Sequence, residues 1–468
     1  MRITLLNPPF FTKGAYYFGY HFYKPHPNPA LAILSTVCRH NNVVYQLLDA
    51  KLEGLGETAT IEKITLFQPD VICITIPTTA EAYEDFFFIQ QLKTRFPFVK
   101  IVCGGPHITA LPKRSLEECS GIDIASTGFG DDTLHRLINA DFTNFTGVAG
   151  IFFRTSDDGI VATPASPRKE STAFPRIDWT EFPPAHNYMV FQAHGCPFSC
   201  NYCFNITNHL TYFTESVDVL EELQSIYEYA HPEYINFADP TFAVNRKRTV
   251  HLLNTMVEKG WGSHKQKWRC YTRTDMMDEP LLGLMKKAGC DFISYGIESG
   301  SPRILQRMRK NTSLEKHFVA VAATKKVGIR YQAYFVFGHI GETPNEVGES
   351  INLIIKLNPQ LLGIGVMVPW PGTEVYECAV EGREGLSLMP VKYPEGWQLY
   401  DKHLGHILQN NHFKPNELER LRLFAYLKLY VYNLRFLDLL RFGWEVRNFL
   451  FTKLDLIFKK SVSWRKTR

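Results

Sequence analysis

The sequence predicts an α/β protein with two successive series of parallel strands, followed by a helical C-terminal region. Short apolar runs alternate with helix-length stretches from residue 1 to about 140, and a second such series begins at residue 188. Apolar β runs separated by helices indicate βαβ units around buried parallel sheets. From His412 onward, apolar and aromatic residues recur instead at helical spacing among arginines, which predicts helices at the end of the chain.

The composition is that of an ordinary globular protein. The 468 residues suffice for two or three domains, each with its own core. Apolar residues make up 45% and charged residues 21%, which excludes a generally disordered chain. The net charge of only +4 does not indicate a nucleic-acid-binding protein. The N-terminus "MRITLLNPPF" lacks a signal-peptide pattern, and no apolar run reaches the roughly 20 residues of a spanning helix. We therefore expect a cytoplasmic protein without a nucleic-acid partner.

Four segments follow from these patterns. Residues 1–140 are predicted to form a doubly wound parallel sheet, and residues 141–187 a linker with a small hairpin around Asp158-Gly159. Residues 188–385 contain six predicted strands, which indicate a partial (β/α)6 barrel of the TIM type. Residues 386–468 are assigned to the helical region. Ligand sites are expected beyond the carboxyl ends of the strands in both series.

In the first series, the predicted strand ends carry residues that suit a ligand site. Paired glycines let backbone approach a ligand closely and tolerate positive φ. No G-x-G-x-x-G follows the first strand, so a dinucleotide site is not predicted, and a sheet with purely structural glycine turns is the alternative. The candidate ligand-binding residues at these turns are Asn7, Pro8, Pro9, Thr78, Thr79, Gly104, Gly105, His107, Gly128 and Gly130.

The second series opens with the most informative motif, "FQAHGCPFSCNYCF" at residues 191–204, which packs three cysteines into eight positions. The other seven cysteines are scattered in apolar contexts, which indicates buried thiols in a reducing compartment. A structural zinc site prefers four ligands, so His194 or His209 would have to complete one. A [4Fe–4S] cube held by three cysteines leaves one iron open for a substrate or cofactor.

The spacing Cys196-Pro-Phe-Ser-Cys200-Asn-Tyr-Cys203 resembles the signature of the radical S-adenosylmethionine superfamily. Later strand-end motifs resemble, in order, those of the cobalamin-binding branch of that superfamily: "NFADPTF" (236–242), "YTRTD" (271–275), "YGIESGSPRILQRMRK" (295–310), "FVFGHIGET" (335–343) and "VPWPGTEVY" (368–376). "GGPHITALP" (104–112) and the Pro-Pro turn after the first strand fit the same branch. The resemblance spans nearly the whole chain.

The resemblance implies three cofactors: a [4Fe–4S] cluster on Cys196, Cys200 and Cys203, S-adenosylmethionine on its open iron, and cobalamin at the turns of the first series. It implies S-adenosylmethionine contacts at Tyr202, Ala238, Asp239, Arg273, Glu298 and Ser299. Tyr202 would pack near the adenine, and Glu298 would accept hydrogen bonds from the ribose or the ammonium group. Backbone carbonyls at Ala238-Asp239 would face that ammonium, and Arg273 would pair bidentately with the carboxylate. The structural alternative is an ion-pair network among Glu298, Asp239 and Arg273.

Two departures from related patterns limit the cobalamin prediction. The D-x-H-x-x-G motif, whose histidine becomes the lower axial ligand of cobalt, is absent from the first series, and "DKHLG" at 401–405 is one residue short and in the wrong domain. A histidine in a turn usually faces solvent, so His107 is not assigned to the cobalt. Phe129 replaces the acidic residue of the Gly-Glu-Gly turn common in relatives, which puts the contacts of that turn in doubt.

The function that the resemblance implies is methylation of an unactivated carbon of a small-molecule or lipid substrate. One S-adenosylmethionine would provide the methyl group through cobalamin, and another would generate a 5′-deoxyadenosyl radical. The alternatives are a cobalamin-associated radical cyclase or other oxidative rearrangement enzyme, and a non-enzymatic cobalamin or metal sensor. A methylthiotransferase is disfavoured because no second group of cysteines could hold another cluster. No catalytic residue is assigned.

Two classes of partner follow from the same reasoning. A radical S-adenosylmethionine enzyme needs an electron donor such as flavodoxin or ferredoxin. Residues 413–468 contain 13 Lys/Arg against 5 Asp/Glu, so their helices could lie on the inner face of an anionic membrane. A helical cap over the barrel with a solvated basic face is the alternative.

Overall fold

The N-terminal domain is a parallel sheet of five strands, with helices packed on both faces. The computed structural model of the chain describes residues 1–9, 25–145, 147–165, 174–262, 266–401, 407–414 and 416–444. In chain order the elements of the parallel sheet are β1 Arg2–Asn7, α1 Pro29–His40, β2 Val44–Asp49, α2 Ala50–Glu53, α3 Glu57–Phe67, β3 Val71–Thr75, α4 Ala82–Arg95, β4 Lys100–Gly104, α5 Pro106–Ala110, α6 Pro112–Glu118, β5 Ile124–Ser126 and α7 Gly130–Asn139. The strand order β2-β1-β3-β4-β5 confirms the predicted doubly wound topology.

The central strands are apolar throughout because both faces of the sheet are covered. All five residues of β3 are buried. Successive side chains of a strand point to opposite faces, so Leu5 and Leu6 of β1 belong to two different apolar clusters. The first helix starts where Asn28 accepts hydrogen bonds from the backbone N–H groups of Ala30 and Leu31, an N-cap that satisfies two otherwise unpaired donors.

The predicted linker contains part of the first sheet. Strands β6 Ile151–Arg154 and β7 Ile160–Ala162 form the predicted hairpin. Strand β6 also pairs antiparallel with β5, so the complete sheet has seven strands in the order β2-β1-β3-β4-β5-β6-β7. The N-terminal domain therefore extends beyond the predicted boundary at residue 140, since a hairpin predicted locally says nothing about the strand it will join.

The second domain is an open barrel of six parallel strands, as the sequence predicts. Its elements are β8 Asn187–Val190, β9 Ala193–Gly195, β10 Thr211–Phe213, α8 Ser216–Ala230, β11 Tyr234–Phe237, α9 Arg246–Glu258, β12 Trp268–Thr272, α10 Glu279–Lys287, β13 Cys290–Glu298, α11 Pro302–Arg307, α12 Leu314–Lys326, β14 Arg330–Phe337, α13 Pro344–Leu357, β15 Leu361–Val366 and α14 Glu374–Glu381. The sheet order β15-β14-β13-β12-β11-β8 follows the chain, and all five pairings are parallel. Strands β9 and β10 form a separate antiparallel pair just after β8.

Within the described part of the C-terminal region, α-helices are found only after residue 416. Residues 386–410 contain the antiparallel strands β16 Leu386–Leu388 and β17 Leu408–Asn410, with a 3₁₀ helix Glu395–Leu399 between them. Helix α15 Glu417–Tyr432 follows, and residues 436–444 are also helical. Most of the "DKHLG" match (402–405) and the tail from residue 445 lie outside the described residues. No helix in the described ranges is both long and apolar enough to cross a bilayer.

The 3₁₀ helix near residue 397 completes the core of the N-terminal domain. Trp397, Tyr400 and Ile407 are fully buried in the apolar cluster that contains strands β3 and β4. The indole N–H of Trp397 donates to Glu118 of α6 over 2.6 Å, and the Arg114 guanidinium lies 4.6 Å from the centre of its ring. The chain therefore returns from the barrel to close the first domain.

Replacing Trp397 by Ala should destabilise the protein strongly. The substitution removes a fully buried indole and its hydrogen bond, and such changes cost about 3–5 kcal/mol of the free energy of unfolding. The control is Phe98→Ala, because Phe98 is 96% exposed and its loss should cost less than about 0.5 kcal/mol. Urea unfolding followed by circular dichroism measures both. Equal midpoints for the two variants would contradict the role assigned to Trp397.

Candidate active site

The loop that carries the three cysteines starts at the carboxyl end of the barrel sheet. It runs from β9 to β10, which pair antiparallel so that Gly195 lies opposite Thr211. Gly195 has φ of +88°, and a Cβ there would lie 2.3 Å from the carbonyl oxygen of Leu210. Only glycine fits both conditions, so Gly195 allows the loop to close directly before Cys196.

Hydrogen bonds within the loop fix its shape. The Asn205 side-chain amide donates to the carbonyl of Cys196 over 2.6 Å, and its oxygen accepts from the backbone N–H of Thr207. The Nδ1 atom of His209 lies 2.8 Å from the carbonyl oxygen of Phe198. His209 is therefore engaged within the loop.

The three thiols are free and close enough to influence one another electrostatically. The protein packed around Cys203 raises the pKa of its thiol to about 11, with Cys200 and Cys196 adding to the rise and Lys310 opposing it. Burial also raises the pKa of Cys200. Cationic iron would overcome both shifts, because a coordinating thiol is deprotonated outright.

The described residues provide no ligand set for a single metal ion. Among them, no three His, Cys, Asp or Glu side chains converge closely enough to bind one ion. His194 instead packs against the ring of Phe191 at 4.7 Å. A four-iron cube is wider than one ion, and three thiols spaced around a loop suit it better.

Glu298 is placed over the barrel mouth by a strained backbone. It is the last residue of β13, where the pairing with β14 shifts register, and its φ is +71°. This conformation costs a non-glycine residue about 1–3 kcal/mol. The Glu298 carboxylate receives a 2.9 Å ion pair from Lys310, and both side chains are about nine-tenths buried. A Cβ at Gly296 would lie 2.4 Å from the Glu298 carboxylate and 2.9 Å from the Lys310 ammonium, so glycine leaves room for the pair.

Tyr202 lies in the same region as this ion pair. Burial raises the pKa of its phenol, and the Glu298 carboxylate and the thiols of Cys200 and Cys203 raise it further. Its ring meets His339 edge-on at 5.9 Å, and His339 bonds Asn201 over 2.9 Å. The structure thus brings the cluster loop, Tyr202 and Glu298 together.

Arg273 is oriented differently from the prediction. Two of its nitrogens donate to the Asp275 carboxylate at 3.0 and 2.7 Å, and Nη2 also donates to the carbonyl of Lys310. The guanidinium lies 4.0 Å from the centre of the Phe198 ring. Of the guanidinium nitrogens, only Nη1 is buried without a partner. Arg273 therefore lacks the two free nitrogens that a bidentate contact with a second carboxylate needs. Arg273 instead holds the backbone of Lys310.

Asp239 and Ser299 also have structural partners. Asp239 is fully buried and accepts a hydrogen bond from the backbone N–H of Ala193, which ties the end of β11 to the start of the cluster loop. Ala238 donates its backbone N–H to Val190. The Ser299 hydroxyl lies 3.2 Å from that of Ser350 on α13, away from the ion pair described above. The ion-pair network among Asp239, Arg273 and Glu298, which was the structural alternative, is not formed.

Sequence reasoning missed Lys310. It is the last of the basic residues in "RMRK" (307–310), and only it is buried, whereas Arg309 forms an exposed ion pair with Glu374. No local pattern separates the two. The burial of Glu298 could have indicated Lys310, because a buried carboxylate needs a cation as its partner. That burial is visible only in the folded barrel.

The first domain presents polar groups and glycines at the carboxyl edge of its sheet. The Asn7 amide donates to Asp49 over 2.7 Å, while the oxygen of Asn7 is buried without a partner. Gly105 has φ of +106°, and a Cβ there would lie 2.4 Å from the carbonyl oxygen of Ile76. Gly128, with φ of +74°, has open space where its Cβ would be. This edge therefore offers a glycine-lined cradle and unused hydrogen-bonding capacity.

The remaining predicted residues of this edge bond to protein or start helices. Thr78 donates to Glu81 over 3.1 Å, and the Gly128 N–H donates to Thr109 over 3.1 Å. Gly104 ends β4, and Gly130 begins α7. Pro8 and Pro9 follow β1 directly and are buried.

His107 does not face solvent, which corrects the expectation for a turn histidine. It is 1% exposed, between Phe86 at 5.6 Å and Trp397 at 5.0 Å. Its Nδ1 lies 3.3 Å from the Thr79 hydroxyl, and Nε2 has no partner. Burial lowers the pKa of His107 to about 3, so the ring is neutral. The sequence could not predict this, because Trp397 lies far along the chain.

The ligand edges of the two domains face each other. Gly372, in the loop after β15, would place a Cβ 2.6 Å from the Phe204 ring and 3.6 Å from Ala110 on α5. Phe204 directly follows Cys203, and α5 directly follows Gly105. Phe129, which replaces the acid common in relatives, packs edge-on against Tyr212 of β10 at 5.6 Å. Cluster loop and glycine edge therefore border one cleft.

Known protein families match both domains. The radical SAM superfamily matches residues 191–354, and the B12 binding domain family matches residues 19–138. The chain is 28% identical over 419 residues to an uncharacterized methyltransferase of Pyrococcus horikoshii, covering 86% of this chain and 88% of the relative. It is 27% identical over 397 residues to the anaerobic magnesium-protoporphyrin IX monomethyl ester cyclase of Rubrivivax gelatinosus, covering 81% and 70%.

A solved structure has the same fold. The radical S-adenosylmethionine methyltransferase TsrM from Kitasatospora setae superposes with a TM-score of 0.71 at 18% identity, covering 92% of this chain and 89% of that one. The three-cysteine loop, the open barrel and these matches define a radical S-adenosylmethionine enzyme. The chain thus combines a radical SAM domain with a B12-binding domain, the pair of domains found in cobalamin-dependent radical S-adenosylmethionine enzymes. Its cofactors are a [4Fe–4S] cluster, S-adenosylmethionine and cobalamin.

The three cysteines should be separable from the other seven by substitution. Replacing Cys196, Cys200 or Cys203 by Ala should abolish the [4Fe–4S] signal of anaerobically reconstituted protein and its cleavage of S-adenosylmethionine to 5′-deoxyadenosine, because each removes one iron ligand. Cys119→Ala and Cys378→Ala, both buried elsewhere, are the controls and should keep both signals. If all three loop variants still cleaved S-adenosylmethionine, the assignment of these cysteines as cluster ligands would be wrong.

Substitutions of Lys310 and Glu298 should have strongly non-additive effects on the free energy of unfolding. Lys310→Met leaves a buried carboxylate unpaired, which costs about 3–5 kcal/mol of the free energy of unfolding, and adding Glu298→Gln should recover most of it. Arg309→Met, which breaks an exposed pair, should cost less than about 1 kcal/mol. Urea unfolding of the cluster-free variants measures this. No recovery in the double variant would show that the charges do not act as a pair.

Proposed function

We propose that this enzyme methylates an unactivated carbon of a small-molecule substrate. The observation that carries the proposal is the contact of Phe204, Gly372 and Ala110, which sets the cluster loop against the glycine edge of the B12-binding domain. Methylation of such a carbon needs hydrogen abstraction and methyl delivery at one place, because a carbon radical must be captured before it reacts elsewhere. The relation to a methyltransferase over 86% of the chain supports the same activity.

The cofactors supply the electron transfer, the radical and the methyl group, while the protein supplies binding and orientation. In the proposed site, Cys196, Cys200 and Cys203 hold the cluster. Tyr202 offers an aromatic face for the adenine, and Glu298 accepts hydrogen bonds from the ribose or ammonium. Lys310 adds a cation for the carboxylate of S-adenosylmethionine, the role predicted for Arg273.

Other predicted contacts divide into direct and positioning roles. The backbone at Ala238-Asp239 remains a candidate for the ammonium group, while the Asp239 side chain anchors the cluster loop through Ala193. We assign Arg273 and Ser299 positioning roles, because their polar groups already bond Asp275, Lys310 and Ser350.

On the opposite side of the cleft, we propose that cobalamin lies on the carboxyl edge of the first sheet. Its peripheral amides suit the unpartnered oxygen of Asn7, and the backbone at Gly105 and Gly128 allows close approach. The proposed cobalamin contacts are nine of the residues predicted from the sequence at this edge: Asn7, Pro8, Pro9, Thr78, Thr79, Gly104, Gly105, Gly128 and Gly130. His107 is sealed under Trp397 and supports the edge rather than facing solvent.

We propose a small electron-transfer protein such as flavodoxin or ferredoxin as the reductant. Reduction of the cluster that Cys196, Cys200 and Cys203 would hold needs such a one-electron donor. Electron transfer proteins bind through small, transient interfaces, for which an exposed loop is sufficient.

The second candidate function is a radical cyclisation with cobalamin in an auxiliary role. Its support is the 27% identity to the anaerobic magnesium-protoporphyrin IX monomethyl ester cyclase over 81% of this chain. Both functions use the same cluster loop, so the geometry of the loop does not separate them. A sensor without catalysis is disfavoured because the charged, strained Glu298 site would have no purpose in it.

Labelled S-adenosylmethionine separates the two activities. With a deuterated methyl group, a methyltransferase passes the label to the product and releases S-adenosylhomocysteine as well as 5′-deoxyadenosine. A cyclase releases only 5′-deoxyadenosine and an unlabelled product. Mass spectrometry of turnover with the cognate substrate measures both. Cys200→Ala is the control and should form no 5′-deoxyadenosine, because the radical route needs the cluster. The absence of S-adenosylhomocysteine from wild-type turnover would favour the cyclase.

A further inference from the structure

The C-terminal helix α15 leaves a wide apolar face uncovered. Its buried residues Ala425 and Leu429 pack where the helix meets α13 and β15. The other face carries four large apolar side chains that are each about two-fifths to one-half exposed. They are Leu423, Phe424, Leu427 and Val431.

The apolar surface continues after the helix ends. Arg435 fixes the next turn by donating to the carbonyls of Pro359 and Gln360, just before β15. On both sides of Arg435 in the chain, apolar side chains are each 56–75% exposed: Leu434 before it, and Phe436, Leu437 and Leu440 after it. Together with the face of α15 they form what we term the C-terminal apolar surface, residues 423–440.

This concentration differs from the rest of the molecule. Among the described residues, 26 large apolar side chains are exposed, and ten of them fall within residues 423–444. Single exposed apolar residues need no explanation, but a contiguous patch marks an interaction site. The C-terminal apolar surface therefore has a partner.

The charges beside this surface identify the kind of partner. The Lys428 ammonium lies 4.7 Å from the centre of the Phe424 ring, so a cation sits among the apolar side chains. The Arg441 side chain is 80% exposed, and its Nη1 lies 3.9 Å from the Asp438 carboxylate. Over residues 413–468 the sequence has 13 Lys/Arg and 5 Asp/Glu, an excess of eight positive charges. Two copies of such a surface repel each other, whereas an anionic lipid surface attracts it while accepting the apolar side chains.

We propose that the C-terminal apolar surface binds an anionic lipid bilayer peripherally. Leucine and phenylalanine side chains enter the boundary between headgroups and acyl chains, and Lys428 and Arg441 extend to the lipid phosphates. This inference does not depend on the proposed methyl transfer, because it uses no residue of the active site.

The structure also gives the orientation of the bound enzyme. Helix α15 starts near Gly338, at the carboxyl end of β14, where Leu418 packs. It ends near Pro359, before the amino end of β15. The surface thus follows the flank of the barrel toward the end opposite the active site. The barrel lies on its side, and its mouth opens along the membrane rather than into it, which favours a substrate that enters from water over a lipid drawn from the bilayer.

Flotation of the full-length enzyme with vesicles tests this proposal. Protein should float with phosphatidylcholine vesicles containing phosphatidylglycerol, bind weakly to phosphatidylcholine alone, and be partly released by high salt. The variant Leu437→Glu/Leu440→Glu should reduce the bound fraction about tenfold, since it places charges in the apolar layer. The matched control is Leu66→Glu/Phe98→Glu, at two exposed apolar positions of the N-terminal domain, and should bind as wild type.

Three outcomes would overturn the proposal. They are equal binding of the two double variants, equal binding to both vesicle types, and a dimer in light scattering that Leu437→Glu/Leu440→Glu dissociates. Cleavage of S-adenosylmethionine by each variant is measured in parallel. The rate of cleavage should match that of the wild type in both double variants. A failure of the membrane proposal would therefore leave the proposed function intact.

Discussion

The contact of Phe204, Gly372 and Ala110 holds the two ligand edges of this enzyme against each other, and the chemistry depends on it. A side chain at position 372 would overlap the Phe204 ring, so only glycine permits this approach. The three residues belong to the cluster loop, to the last barrel loop and to α5 of the B12-binding domain. A shift at any of them changes the distance between two cofactors that must act on one carbon atom, where displacements of about 1 Å already matter.

Within the barrel, charge is organised as a short chain of dependent contacts. Asp275 orients Arg273, Arg273 holds the backbone of Lys310, and Lys310 neutralises Glu298. The positive φ of Glu298 is maintained by this chain and by the space above Gly296. Buried ion pairs contribute little net stability but specify geometry when every member has a partner. Here these contacts fix the position of the Glu298 carboxylate beside the cluster loop.

Local patterns in the sequence predicted the six barrel strands, the doubly wound sheet and the cysteine trio, because strand periodicity and motif spacing are properties of short segments. The partner of a buried group, in contrast, is not determined by a short segment of sequence. Lys310 cannot be separated from Arg309 by composition, and the burial of His107 requires Trp397 from the far end of the chain. The Asp158-Gly159 turn predicted a hairpin correctly, but its pairing with β5 arises only in the folded sheet. Ser299 adjoins Glu298, yet the strained turn directs its hydroxyl to α13.

The packing of the 3₁₀ helix Glu395–Leu399 against the first domain has a consequence for synthesis on the ribosome. The N-terminal sheet emerges first, but Trp397, Tyr400 and Ile407 complete its apolar cluster only after the whole barrel has been translated. Until then Phe86 and the apolar surface around His107 stay open to water. The nascent first domain is therefore an incomplete folding unit that needs protection from aggregation, and it gains its last core residues when translation is nearly finished.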